Sequence, residues 1–192
     1  MVEKKEKKIE VLAIVPARGG SKLIPHKNIK SFCGFPLIAY SIAAGLQAKS
    51  VGRVIVSTDD KEIARVSSKF GADVPFLRPK NLALDDTTDL PVFVHALKWL
   101  EEKENYKPDV VVQLRPTSPV RQRSIVDDAV KTLLLRKKSD SVRGVVPARQ
   151  NPYKMWHLSS KDRPMKNLLD ISGIDEPYNA PRQILPQAYW QT

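Results

Sequence analysis

The sequence predicts an α/β chain built on a mostly parallel sheet with helices on both faces. Three observations predict it. Apolar runs of strand length recur along the chain, helical patterns separate them, and the run "PDVVVQL" (108–114) has the uninterrupted valines of a strand buried on both faces at the centre of a parallel sheet.

The elements follow in order. The first strand is Val11–Val15, closed by Pro16. After a long polar loop, "FPLIAYSIAAGLQAKS" has helix-forming content, with Leu37, Tyr40, Ser41 and Ala44 at helical spacing. "RVIVSTDD" is a second strand, rich in β-branched residues and ending in polar ones. "KEIARVSSKFG" places Ile63, Val66 and Phe70 on one helix face, with Gly71 as its stop. A short strand, "ADVPFL", comes next, then a helix from about Leu90 to Lys103 that admits Pro91 in its first turn. Beyond the valine run, Ser124 stands where it can cap "SIVDDAVKTLLLRKK", whose basic end suits the negative end of the helix dipole. "SVRGVVPA" supplies a further strand. From 149 to 192 the pattern weakens, and Pro152, Pro164, Pro177, Pro181 and Pro186 punctuate an irregular C-terminal arm. The expected organisation is a single domain over 1–192, with a frayed, solvated N-terminus at 1–10.

Composition narrows the partners. The 192 residues are 42% hydrophobic, enough for a core, and carry a formal charge of +11, which points to a polyanion: nucleic acid, an acidic membrane surface or a phosphorylated small molecule. Cys33 is the single cysteine, so neither an intrachain disulfide nor a thiolate metal cage is available, and a reducing, cytoplasmic setting is expected. "MVEKKEKKIE" lacks the apolar core of a signal peptide, and no apolar run approaches the roughly 20 residues that span a bilayer. His26, His95 and His157 show no metal-ligand spacing. Trp99 reads as a packing residue between helix and sheet, and Trp156 and Trp190 as candidates for a subunit contact.

Ligands of open parallel sheets bind outside the carboxyl ends of the strands. Those positions carry Arg18, Lys22, Lys27 and Lys30 after the first strand, "STDD" after the second, Arg78 after the third, and Arg115 and Arg121 in "RPTSPVR" after the valine strand. Such a rim suits a phosphate-rich ligand better than a duplex, which would meet a basic stripe along a helix. The loop from Pro16 to Phe35 exceeds the roughly 4–6 residues of ordinary connections. Gly19 and Gly20 let its backbone come close to an anion, and Lys22 and Lys27 add point charges. It matches neither the Walker spacing nor the dinucleotide fingerprint. As a bare pattern, Gly-Gly-Ser-Lys equally describes a flexible turn with solvated lysines.

The full string "IVPARGGSKLIPHKNIK" resembles the signature of the acylneuraminate cytidylyltransferase family, which makes CMP-activated sialic acids and related nonulosonic acids. "VIVSTDD", "FLRPKNLALDDTT", "LRPTSPVR" and "PRQILPQAYWQT" resemble further blocks of that family in the same order. The resemblance implies a Rossmann-like, three-layer nucleotide-diphospho-sugar transferase fold. It implies transfer of CMP from CTP to the anomeric hydroxyl of an acidic nine-carbon sugar, with release of pyrophosphate, by a cytoplasmic homodimer. Carried over by position, Ala17, Arg18, Gly19, Gly20, Ser21, Asn28, Arg78 and Thr87 match the nucleotide site, and Arg18, Lys22, Lys27 and Arg182 match catalytic positions. Arg115, where many members have glutamine, Lys154, Gln183 and Gln187 match the sugar site.

Magnesium is the expected cofactor. Members of the family hold it on two aspartates, one residue apart, downstream of the "PQ" block, and this chain ends at Thr192 before that element. Asp59, Asp60, Asp85 and Asp86 each have an ordinary reading as cap, turn or rim residue and are not taken as substitutes. The expectation is therefore a shortened family member with no metal ligands assigned. The alternatives are a catalytically impaired nucleotide-binding module and a basic α/β domain that binds nucleic acid.

Overall fold

The structure is a computed structural model that describes residues 8–191. The chain falls into a larger unit that ends at Val142 and a smaller one that begins at Arg143.

The larger unit contains β1 (Val11–Pro16), a hairpin of β2 (Ser31–Phe32) and β3 (Phe35–Pro36), α1 (Leu37–Gln47), β4 (Arg53–Ser57), α2 (Lys61–Lys69), α3 (Asp89–Glu104), β5 (Val110–Gln113) and α4 (Ile125–Leu135). β1 pairs in parallel with β4, Ile14 facing Ile55, and with β5, Ala13 facing Val112, so the strand order is β4-β1-β5. Successive side chains of a strand point to opposite faces, and β1 is apolar on both. Ala13 and Val15 pack with Ile38 and Ile42 of α1, Ile63 of α2 and Val126 of α4. Leu12 and Ile14 pack with Ala96 and Leu100 of α3, under Phe76 and Trp99. Three layers result, with α3 on one face of the sheet and α1, α2 and α4 on the other. Trp99 lies against Phe76, ring centroids 5.3 Å apart, as a helix-to-sheet packing residue should.

Several expectations are corrected. The valine run is an edge strand among the described residues, with Val111 36% exposed, while β1 holds the centre. Unbroken apolar runs show only that a strand is apolar on both faces, and the less repetitive "VLAIV" is the one flanked on both edges. The buried residues of α1 are Ile38, Ala39, Ser41, Ile42 and Gly45, so of the predicted Leu37, Tyr40, Ser41 and Ala44 only Ser41 lies on the buried face. Gly45 sets that face: a Cβ there would stand 2.8 Å from Val54 Cγ2, so the helix rests on the sheet at this residue. "ADVPFL" follows β4 but makes only isolated parallel bridges, Ile55 to Asp73 and Thr58 to Leu77. Pro75 lies between them and has no N–H to give a ladder. Ser124 occupies the position before α4 but makes no side-chain cap, its backbone being already helical (φ −89, ψ −7).

Other local readings hold. Asp60 caps α2, its Oδ1 accepting from the N–H groups of Glu62 (2.8 Å) and Ile63 (2.9 Å). Gly71, at φ +88, stands just past the end of that helix.

The smaller unit is built from short pieces. β6 (Val145–Pro147) pairs antiparallel with β9 (Tyr189–Gln191), and β7 (Trp156–His157) with β8 (Lys166–Asn167). The strand in "SVRGVVPA" thus forms, but it takes an antiparallel partner instead of extending the parallel order. Trp156 packs on Tyr178, centroids 4.6 Å apart, and both Trp156 and Trp190 remain exposed.

Candidate functional site

Beyond the carboxyl ends of β1 and β5 the larger unit opens into a cleft of about 260 Å³. Its wall is laid down by four segments: Pro16, Arg18, Ser21, Lys27 and Asn28 after β1; Arg78 to Thr87 beside β4; Asp89 and Val92 at the start of α3; and Arg115, Pro116 and Thr117 after β5. Seven sequence-predicted residues meet there: Arg18, Ser21, Lys27, Asn28, Arg78, Thr87 and Arg115. Gly20 and Lys22 line an adjoining mouth with Leu84 and Asp85.

The loop after β1 is folded from within. Asn28, 5% exposed in a single 3-10 turn (Lys27–Ile29), donates its Nδ2 to the Arg18 carbonyl at 2.9 Å and so ties the two ends of the loop together. Two residues of the predicted nucleotide site spend their N–H groups within the protein. Ala17 is buried and its N–H donates to the Ser57 carbonyl at 3.0 Å, prolonging the β1–β4 pairing. Gly19 donates its N–H to Asp59 Oδ1 at 3.0 Å, so that N–H is not turned to an external anion. A Cβ on Gly19 would stand 2.7 Å from Asp60 Oδ2 and 2.9 Å from Asp60 Cβ, so the loop packs closely on the "STDD" segment here.

The cations differ in their surroundings. Arg78 is 6% exposed, and it donates through Nε to Ser57 Oγ (3.1 Å), through Nη2 to the Ser57 carbonyl and through Nη1 to the Leu82 carbonyl (3.3 Å). Burial pulls its guanidinium below the ordinary value; the Asp59 carboxylate opposes that and Arg18 adds to it. Arg18 is half-buried and pairs through Nη1 with Asp85 Oδ1 at 2.7 Å, while Lys22 Nζ takes the other carboxylate oxygen. These contacts, the hydrogen bond from Lys22 first, hold the Asp85 carboxyl below the usual range. Arg115 pairs with Asp89 Oδ2, which also accepts from Gln113 Nε2 at 2.7 Å. Burial raises the Asp89 carboxyl, but the Arg115 and Gln113 contacts outweigh it and the net direction is down.

Arg121 reaches back six positions in the chain to fix the β5 loop. Its Nη1 donates to Ser41 Oγ (3.0 Å) and its Nη2 to the Arg115 carbonyl (2.6 Å), and Ser41 Oγ donates to that same carbonyl (3.1 Å).

Sequence reasoning missed Asp89 and left Asp85 as a rim residue. The signal was present in "DDTTD": an acidic segment opposite a basic loop, its last aspartate at the first position of a helix, where negative charge is favoured. The remaining candidates lie in the smaller unit. Lys154 donates Nζ to the Tyr178 carbonyl (3.2 Å), Arg182 and Gln183 are exposed in the 3-10 turn Arg182–Ile184, and Gln187 Nε2 donates to the Ala188 carbonyl (2.8 Å).

Among the described residues no group of three or more His, Cys, Asp or Glu converges as metal ligands. Asp85 pairs with Arg18 and Lys22, and Asp89 with Arg115. No helix of the described residues is long and apolar enough to cross a membrane. What the cleft can do chemically is bind and neutralise an anion with several charges, using Arg18, Lys22, Lys27 and Arg115 around a polar floor.

Comparison with known proteins adds to this geometry. A family model described as cytidylyltransferase matches residues 12–185. CMP-N,N'-diacetyllegionaminic acid synthase of Legionella pneumophila is 38% identical over 131 residues, which are 68% of this chain and 56% of that protein. Pseudaminic acid cytidylyltransferase of Campylobacter jejuni is 42% identical over 123 residues, 64% of this chain and 53% of that protein. N-acylneuraminate cytidylyltransferase of Escherichia coli is 32% identical over 170 residues, 88% of this chain and 38% of that protein. The chain thus spans about half the length of the curated relatives it matches. Among solved structures, CMP:2-keto-3-deoxy-manno-octonic acid synthetase complexed with CTP superposes with a TM-score of 0.67 at 17% identity, covering 95% of this chain and 71% of that one. 4-Diphosphocytidyl-2C-methyl-D-erythritol synthase gives 0.59 at 9% identity, covering 87% and 71%. At such identities the superpositions speak for the fold, which is the Rossmann-like nucleotidyltransferase type.

Proposed function

The chain belongs to the cytidylyltransferase family, and we propose that it serves transfer of CMP from CTP to the anomeric hydroxyl of a sialic-acid-like nonulosonic acid, with pyrophosphate leaving. The observation that carries the proposal is the meeting of Arg18, Lys27, Asn28, Thr87 and Arg115 in one cleft beyond the ends of β1 and β5. The sugar class is supported by the names of the relatives, which act on legionaminic, pseudaminic and N-acylneuraminic acids.

In this reading Arg18, Lys22 and Lys27 meet the triphosphate, Ser21, Asn28, Arg78 and Thr87 shape the nucleotide pocket, and Arg115 turns to the sugar acid. Lys154, Arg182, Gln183 and Gln187 are assigned to the acidic sugar on the resemblance of their sequence block. The sugar hydroxyl attacks the α-phosphorus, and charge that builds on the phosphate oxygens is neutralised by fixed cations. CTP and the sugar carboxylate are both anions, so several cations are needed simply to hold them side by side. The described residues offer no ligand set for the magnesium that the resemblance implies, so the proposal rests on the cationic residues. Action in the cytoplasm as a homodimer belongs to the same proposal.

Calorimetric titration with CTP, ATP and a short DNA duplex tests it. CTP-selective binding is expected. Tight duplex binding with a steep salt dependence would replace this reading with a nucleic-acid-binding one.

A further inference from the structure

Resting on the reading of the cleft as a phosphate site, we propose that Asp85 is an internal counter-anion: its carboxylate holds the place between Arg18 and Lys22 that a ligand phosphate takes, and phosphate binding displaces it. One carboxylate bridges both cations, Oδ1 to Arg18 Nη1 at 2.7 Å and Oδ2 to Lys22 Nζ. Two oxygens of one anion shared between a guanidinium and an ammonium is the arrangement a phosphate makes with the same pair. Asp85 lines the cleft itself.

Its surroundings make it displaceable. The Asp85 side chain is 41% exposed and that of Lys22 80% exposed, and exposed ion pairs are weak because water screens them. The loop that carries Asp85 is pinned at both roots. On one side Arg78 Nη1 holds the Leu82 carbonyl (3.3 Å) and the Leu82 N–H bonds Pro79 O (2.9 Å); on the other, α3 begins at Asp89, which is tied to Gln113 (2.7 Å) and to Arg115. Between the roots, the backbone is held by Ala83 N–H to Lys80 O (3.0 Å) and Thr87 N–H to Leu84 O (3.3 Å), on either side of Asp85. The loop can therefore swing Asp85 out while the sheet and α3 stay in place. Asp89 is the contrasting case, a carboxylate fixed in the helix start.

The consequence is selective. Every ligand that engages Arg18 and Lys22 must first release Asp85, whereas a ligand without phosphate is unaffected. A built-in rival of this kind suppresses weakly charged anions that would otherwise collect on the basic rim.

The test is titration of the full chain with CTP, ATP, inorganic tripolyphosphate and cytidine in EDTA, comparing wild type with Asp85→Asn and Asp85→Ala. Asp86→Asn serves as control, since Asp86 is exposed in the same loop and in no ion pair among the described residues. Both Asp85 variants should bind CTP and tripolyphosphate about three- to tenfold more tightly, with cytidine and the Asp86 variant unchanged. Unchanged or weaker tripolyphosphate binding in both Asp85 variants overturns the proposal, as does an equal gain in the Asp86 variant or for cytidine. If tripolyphosphate tightens but CTP shows no preference over ATP, the counter-anion stands and the CTP reading falls.

Discussion

Replacing Arg18 by alanine removes a half-buried guanidinium whose ion-pair partner is Asp85 and which takes no part in the core. CTP affinity should drop by about 1–3 kcal/mol, the range for a lost charged hydrogen bond, with the thermal midpoint nearly unchanged. Normal binding, or an unfolded variant, would show that the loop has been misassigned. Arg78 is the opposite case, a cation enclosed by Ser57 and the Leu82 carbonyl, so its first effect is on the fold. At this scale the basic residues of the cleft were legible because strand-end position and residue type both pointed to them. Their carboxylate partners were not. A pairing such as Lys22 with Asp85 depends on where two loops cross in space, which no spacing within either loop records. Gly19 shows the same limit: a Cβ there would crowd Asp60, 41 positions later in the chain.

At the scale of elements, α1 offers a test of what sets a helix on a sheet. Helix propensity favours alanine over glycine by about 1 kcal/mol, but a Cβ at position 45 would stand 2.8 Å from Val54 Cγ2 and 3.2 Å from Leu114 Cδ1. Overpacking of that order costs about 1–3 kcal/mol. Gly45→Ala should therefore lower the melting temperature, and a rise would mean that the helix is free to shift. Asp127 at the start of α4 clips the connection that follows α1, accepting from the N–H groups of Ser50 (2.8 Å) and Lys49 (3.1 Å) and from Ser50 Oγ (2.6 Å). The Ser50 hydrogen bonds hold its carboxyl below the ordinary value. A depressed carboxyl contributes stability that is complete above its unfolded value, roughly pH 4, and is lost as pH falls through the lower folded value. Denaturant midpoints of wild type and Asp127→Asn should accordingly differ at neutral pH and converge in acid. Helix existence was legible throughout the larger unit, because caps and periodic faces are local. The phase of α1 and the edge position of the valine strand were not, since both depend on which neighbours an element meets.

Taken as one molecule, the chain carries +11 over 192 residues. Its field draws polyanions from beyond contact range, and salt screens it over roughly 8–10 Å near physiological strength. The association rate of CTP, followed by stopped flow, should fall as salt rises, with dissociation changing less. A salt-independent association rate would mean that the cleft acts by contact alone. Alternating strands and helices made the layered larger unit legible in the sequence, whereas in the smaller unit only β6 was legible as a strand and the remainder as a loss of pattern. Two-residue strands such as β7 and β8 are too short to write a period.

The strand order β4-β1-β5 has a last consequence. From β1 the chain winds outward to β4 through α1, and from β4 it passes through α2 on that same face and then α3 on the other before it reaches β5. β4 and β5 flank β1 on opposite sides and the second connection leaves from β4, so β1 and β5 are neighbours that no direct crossover joins. The crevice is a product of the winding itself, available to any sequence that adopts this path. The loop residues Arg18, Lys27 and Arg115 decide its charge.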